Sequence, residues 1–199
     1  MKLQIICCTI VLSREMFNFQ FLFGISFFQL YFDLEYKTAL NPLINGQKML
    51  KQFKDFVKHD LLKTSFPTLI DKLQILDLNS STEEKFSHHL IVNMYYKSEP
   101  VLFANNLQVG HYVRKLISRL KEENSKEEKF PLLVDGKVFV DEAVYSKNRN
   151  FRTFLSTKYG KNAVLKKAFD PDESICEEEE FFLKVSNTVL IIYLVHFFF

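Results

Sequence analysis

Within residues 30–36, Phe32, Leu34 and Tyr36 alternate with Asp33 and Glu35. A period of two belongs to an extended strand, whose successive side chains point to opposite faces. One face of this strand is therefore apolar and needs a covering layer, while the other carries two carboxylates side by side. Like charges this close repel and raise one another's pKa unless a cation compensates. A divalent ion with oxygen ligands is the usual compensation, although an Asp-x-Glu pair is also an ordinary feature of solvated strands.

The covering layer is legible further along. Asn41-Pro42 and Asn45-Gly46 mark a loop, and Leu50, Phe53, Phe56, Val57 and Leu61 then recur at helical spacing within residues 49–62. Residues 77–84 are polar and turn-rich, and residues 86–94 read as a short strand. Residues 105–120 form a second helix with Val109, Val113, Leu116, Ile117 and Leu120 inward, followed by a charged linker over 122–129. Residues 132–134, Asp135-Gly136 and residues 138–145 read as a hairpin, because Asp-Gly supplies the positive φ angles of a tight turn. Residues 151–155 suit a further strand and 161–168 a helix or turn. Strands and helices mix without a βαβ rhythm, so the expected class is α+β with a mainly antiparallel sheet.

The chain has 199 residues, enough for one substantial core. Its formal net charge of +2 excludes nothing about nucleic acid, since local clustering decides that. Lys147, Arg149, Arg152, Lys158, Lys161, Lys166 and Lys167 do cluster, ahead of an acidic run at residues 177–180. Cys7, Cys8 and Cys176 form neither a disulfide framework nor a zinc site, having no further ligands at metal spacing. Three segments are expected: an apolar stretch over 1–28, a core over 29–168, and an acidic then apolar tail over 169–199. Neither apolar end reads as a membrane anchor: the first is interrupted by polar residues, and residues 189–199 fall short of the ~20 needed to cross a bilayer.

Three further groups carry chemistry. Lys85, Ser87 and His89 share one face of the second strand and together suit phosphate oxygens, though an edge strand showing polar residues to water has the same pattern. His88 points the other way and receives no role. Asp141 ends Val138-Phe139-Val140 and alone reads as an ordinary strand-end residue, but together with Asp33 and Glu35 on neighbouring strands it would complete a three-carboxylate nest suited to two metal ions. Asn148 to Arg152 offers a guanidinium fork for phosphate and an amide for sugar or triphosphate.

Three stretches together resemble the catalytic motifs of the eukaryotic primase-polymerase (PrimPol) family, within the archaeo-eukaryotic primase superfamily. They are residues 30–36; residues 77–91, with Ser80-Ser81-Thr82 and Lys85-Phe-Ser-His-His; and residues 140–152, Val-Asp-Glu-Ala-Val-Tyr-Ser-Lys-Asn-Arg-Asn-Phe-Arg. Residues 106–116 look like the helix after the second motif, and the likeness covers roughly residues 29–166. It implies a primase catalytic core with an RRM-like sheet flanked by helices. It further implies catalytic Mg²⁺ or Mn²⁺ ions on Asp33, Glu35 and Asp141. Lys85, Ser87, His89, Arg149, Asn150 and Lys158 would grip the triphosphate, with Arg152 against the sugar. The implied activity is template-directed joining of deoxynucleotides or ribonucleotides in replication restart, translesion synthesis and damage tolerance. DNA template and primer, a nucleoside triphosphate and a single-stranded DNA-binding protein are the implied partners, in nucleus and mitochondrion. The family's C-terminal zinc module, with its Cys-His-Cys-Cys set, has no counterpart here, so the chain is expected to be truncated at both ends and to hold no zinc. The alternative is an inactive truncated core that binds nucleotide or single-stranded DNA.

Overall fold

The computed structural model describes residues 10–11, 28–127, 130–146, 152, 154–158 and 162–168. The tails, Cys7, Cys8 and Cys176, the acidic run and the expected site residues Arg149 and Asn150 lie outside them, apart from the backbone of residues 10–11. Among the described residues the order is β1 (Ile10–Val11), β2 (Leu30–Lys37), α1 (Gly46–His59), β3 (Lys72–Asn79), β4 (Lys85–Tyr96), β5 (Glu99–Leu102), α2 (Asn106–Glu127) and β6 (Lys166–Lys167). The sheet is antiparallel throughout, as the α+β reading required.

Strand β4 is the axis. It pairs with β2 on one side, Leu34 opposite His88, and with β3 on the other, Leu76 opposite Ile91. Outside β2 a single bridge joins Leu34 to Val140, and β6 lies outside β3. β5 turns back from β4 and pairs with β1, while Phe28 bridges Phe103. The edge-strand reading of Ser87 and His89 is thus corrected. β4 is central, and both side chains are buried.

Helices α1 and α2 cover the face of Phe32, Leu34 and Leu90. Phe53 of α1 is fully buried, edge-on to Phe32 at 5.1 Å and to Phe139 at 5.5 Å. Such pairs add about 0.5–1.5 kcal/mol each beyond the apolar area they bury. Asn45 caps α1 by accepting from Lys48 N–H at 3.0 Å. The helix ends in a wider π-helical turn, Asp60–Ser65, whose buried Asp60 accepts from Tyr112 Oη at 2.8 Å and Arg119 Nε at 2.6 Å. That carboxylate ties the end of α1 to α2 and is hydrogen-bonded on both oxygens, which offsets the cost of burying it.

The opposite face is different. Toward β3 it carries a small second core in which Phe154 and Leu165 cover Leu76, Leu78 and Ile91. Toward β2 it carries Asp33, Glu35, Ser87 and His89.

Several expected boundaries are corrected. The polar stretch at 77–84 begins inside β3, where Asp77 faces α1 and pairs with Lys54 at 2.6 Å. The linker expected at 122–129 is helical through Glu127, as its Glu and Lys content permits. A turn does close here, Gly136 N–H donating to Leu133 O at 2.7 Å, but of the Asp-Gly pair only Gly136 takes a positive φ, +74°; the second arm is only the Val140 bridge, and a 3₁₀ turn follows at Glu142–Tyr145. Of the strand expected over 151–155, Phe154 and Leu155 form a turn; of the helix or turn expected over 161–168, Lys166–Lys167 form β6. Among the described residues no helix is long and apolar enough to cross a membrane.

Gly110 on α2 lets the 3₁₀ turn approach closely, since a Cβ there would stand 2.6 Å from Tyr145 Cβ. That neighbour is next to backbone and cannot swing aside. Gly110→Ala is therefore expected to destabilise the fold by about 1–3 kcal/mol of overpacking, read as a lower urea midpoint. An unchanged midpoint would show that the 142–145 turn yields freely.

Candidate active site

Pairing register alone assembles the acidic group. Asp33 lies opposite His89 and Glu35 opposite Ser87 on β2 and β4, so all four side chains share a face. On the other side of β2, Asp141 N–H donates to Asp33 O, and Glu35 N–H to Phe139 O, each at 2.8 Å. Asp141 thus sits beside Asp33 from a segment more than a hundred residues away in sequence. It also begins the 3₁₀ turn, its Oδ1 accepting from Ala143 N–H at 2.9 Å. Tyr145 fixes the far end of that turn by donating its hydroxyl to Tyr31 O at 2.6 Å, and Asn106 Nδ2 donates to Ser146 O at 3.0 Å.

The electrostatics follow from this crowding. Burial, then the charges of Glu35 and Asp141, push the Asp33 carboxyl up to about 6, against the smaller opposing pull of Lys158 and Lys85. Its Oδ1 is buried without a hydrogen-bond partner among the described residues, and His89 Nε2 stands 3.6 Å away. His89 is pulled the other way. Burial, then the cations Arg152 and Lys158, hold its imidazole down to about 3, so it is neutral at physiological pH. Glu35 is paired with Lys85, both side chains remaining about one-third exposed. Among the described residues no three acidic, His or Cys side chains are grouped so as to hold a metal ion. The donor chemistry nonetheless suits a hard divalent cation, with Asp33 bearing an unsatisfied buried oxygen next to two further carboxylates.

The basic side is partly visible. Arg152 Nη2 donates to Ser80 Oγ at 3.1 Å and lies 3.5 Å from His89 Nε2. Lys158 is exposed, yet close enough for its charge to act on both Asp33 and His89. One neighbour of the site was given no role of its own in the sequence reading, and one residue set aside there does point the other way. Ser80 stands opposite Ser87, with their hydroxyls 3.1 Å apart, a neighbourhood visible only once the hairpin register is known. His88, on the helix side, bonds Asp77 through Nδ1 at 2.7 Å. Burial favours the neutral Asp77 carboxyl, but the His88 bond and the Lys54 ammonium outweigh it and hold the pKa below the usual carboxylate range.

This chain is 30% identical over 191 residues to the DNA-directed primase/polymerase protein of Danio rerio, covering 78% of this chain and 36% of that protein. It is 31% identical over 212 residues to the protein of the same name in Mus musculus, covering 80% and 38%. Over about four-fifths of its length the chain is PrimPol-like. The Homo sapiens protein of that name matches at 27% over 230 residues, 80% of the PrimPol-like chain and 40% of its relative. The PrimPol-like chain thus spans well under half the length of the curated relatives it matches. No protein-family model matches it.

The two perturbed groups make opposite contributions to stability. Asp33 titrates higher in the fold than its ordinary 3.8, so its contribution is full below that value and is lost as pH rises through about 6. His89 titrates below its ordinary 6.5, so its contribution is present above 6.5 and is lost as pH falls toward 3. Between pH 4 and 6 the slopes oppose. In metal-free buffer, stability plotted against pH should tilt upward with pH in Asp33→Asn relative to the parent and downward in His89→Gln. Each tilt is at most about 1.4 kcal/mol per pH unit by urea titration. Parallel curves for all three proteins would refute the assignment.

Proposed function

We propose that the chain carries the nucleotidyl-transfer site of a DNA-directed primase/polymerase, extending a primer on a DNA template from nucleoside triphosphates. Replication restart and damage tolerance are the setting implied by its resemblance. The observation that carries the reading is one sheet face bearing Asp33, Glu35 and Asp141 beside Ser87 and neutral His89, with Arg152 and Lys158 adjoining. Phosphoryl transfer asks little covalent work of a protein and much positioning and charge neutralisation.

Mg²⁺ or Mn²⁺ would be held by Asp33, Asp141 and Glu35, and when bound would neutralise the triphosphate and favour the attacking 3′-oxygen. Asp33 is ionised above about pH 6, which readies it to take a cation at physiological pH. The Glu35–Lys85 pair is about one-third exposed, and ion pairs within reach of solvent are worth only ~0–1 kcal/mol. It separates cheaply, freeing Glu35 for the cation and Lys85 for phosphate oxygens. Ser87 and Arg152 add donors, and His89, held neutral, can donate from one nitrogen without adding charge. Arg149 and Asn150 complete the proposed grip from outside the described residues.

Primer extension with Mn²⁺ on a short template tests the reading. Asp33→Ala combined with Glu35→Ala is expected to lower the extension rate at least about 100-fold, the scale of losing a charge-stabilising group at such a centre. A parent that extends no better than this double variant, yet still retards single-stranded DNA, makes the domain a binding module without turnover.

A further inference from the structure

We propose that Ser80 is a positioning residue for the incoming triphosphate: it accepts an N–H from Arg152 and donates its own hydroxyl to Ser87, so that the Ser87 hydroxyl is left to donate outward to a phosphate oxygen. This rests on the polymerase reading above and adds a residue to it.

The direction of the hydrogen-bond chain follows from what each group can do. Arg152 Nη2 can only donate, so at 3.1 Å Ser80 Oγ is the acceptor. A hydroxyl carries a single hydrogen, and the neighbour of Ser80 Oγ on its other side is Ser87 Oγ, also at 3.1 Å. With Ser80 donating, Ser87 Oγ accepts there, and its own hydrogen has no acceptor among the described residues. Ser87 lies opposite Glu35 and two residues from His89 on the candidate face, where an anionic phosphate oxygen supplies that acceptor. The opposite polarity would aim a Ser87 lone pair at the phosphate, which is repulsive. The guanidinium charge sets the favourable sense, because it polarises the hydroxyl it binds and that hydroxyl polarises the next.

Burial and backbone fix the relay. Ser80 and Ser87 are 8% and 4% exposed, so water competes little for either hydroxyl. Ser80 N–H donates to Ser87 O at 2.9 Å, closing the β3–β4 hairpin with the two side chains on one face. Ser81 braces the same turn, its Oγ accepting from Ser87 N–H at 2.9 Å. Replacing Ser80 by alanine leaves those bonds intact and removes only the hydroxyl. Arg152 then loses a fixed acceptor and Ser87 loses the donor that orients it.

The experiment uses the full chain with Mn²⁺, measuring kcat and KM for dATP in primer extension and Kd for dATP by calorimetry. Ser80→Ala should raise KM and Kd about tenfold, the scale of one hydrogen bond to a charged group, with kcat within about twofold. Ser80→Thr, which keeps the hydroxyl, should stay within about twofold of the parent. Ser80→Cys, of similar size but a weak hydrogen bonder, should behave like alanine. Because Ser80 acts partly through Ser87, Ser80→Ala should cost only about two- to threefold in a Ser87→Ala background. Should Ser80→Ala lower the thermal midpoint, the Thr and Cys variants carry the same comparison. A parent that binds and extends while Ser80→Ala leaves KM and Kd within twofold overturns the relay and leaves the polymerase reading standing, as does full additivity with Ser87→Ala. A parent that binds dATP without extending it overturns the polymerase reading, and the Kd comparison then decides the relay. A parent that neither binds nor extends overturns both.

Discussion

The register of β4 between β2 and β3 is the constraint on which the rest depends. Side chains alternate faces with a period of two, so a one-residue slip would exchange Ser87 and His89 for Phe86 and His88. The slip is costly because each face is committed. On one, Phe86 stacks on Tyr36 at 5.0 Å and His88 grips Asp77. On the other, Ile91 belongs to the second core with Leu76 and Leu78. Apolar burial thus locks a register whose by-product is a row of polar groups, and the Leu34–Val140 bridge lengthens that row by Asp141.

The two faces also treat buried charge in opposite ways. Beneath α1, Asp77 is met by His88 and Lys54, and its carboxyl is held in the charged form. That is how a fold accommodates a structural carboxylate. On the other face Asp33 has two carboxylates near it and an oxygen without a partner among the described residues, and its pKa climbs. A shift of this size corresponds to an order of magnitude of a few kcal/mol of unfavourable interaction in the ionised state. A fold with no use for that arrangement has many sequences without it, whereas a site that binds a cation needs the charge before the cation arrives. The contrast between two acids on one sheet is the strongest physical reason to read the Asp33 face as functional.

What the sequence disclosed follows the same logic. Strong alternation gave β2, and helical periodicity gave α1 and α2, because in each case a single face is buried. β3 was hidden because both its faces are covered, by helix on one side and by Phe154 and Leu165 on the other, so Leu73, Ile75, Leu76 and Leu78 show no clean period. β5 was hidden because its turn is built on Lys97 and Ser98 at φ +51° and +69°, without the Asn or Gly that usually announces such a hairpin. Asp33, Glu35, Ser87 and His89 could be placed on faces by counting in twos. Asp141 could not, since its place beside Asp33 comes from one bridge, nor could Ser80, whose partner lies across a hairpin.

The second core gives the site a dependence of its own. Leu76, Leu78 and Ile91 are buried only because Phe154 and Leu165 cover them. Leu155 N–H to Leu165 O at 2.8 Å and Ala168 N–H to Asp77 O at 2.9 Å hold that cover in place. The same stretch of chain delivers Arg152 and Lys158, so the cationic side of the site is as firm as a five-residue cluster makes it. The acidic side stands on the main sheet and on the large core under α1 and α2. A small cluster opens at lower free energy than a large one. Asp33 and Glu35 are therefore anchored in the larger core's sheet, while Arg152 and Lys158 depend on the smaller cluster.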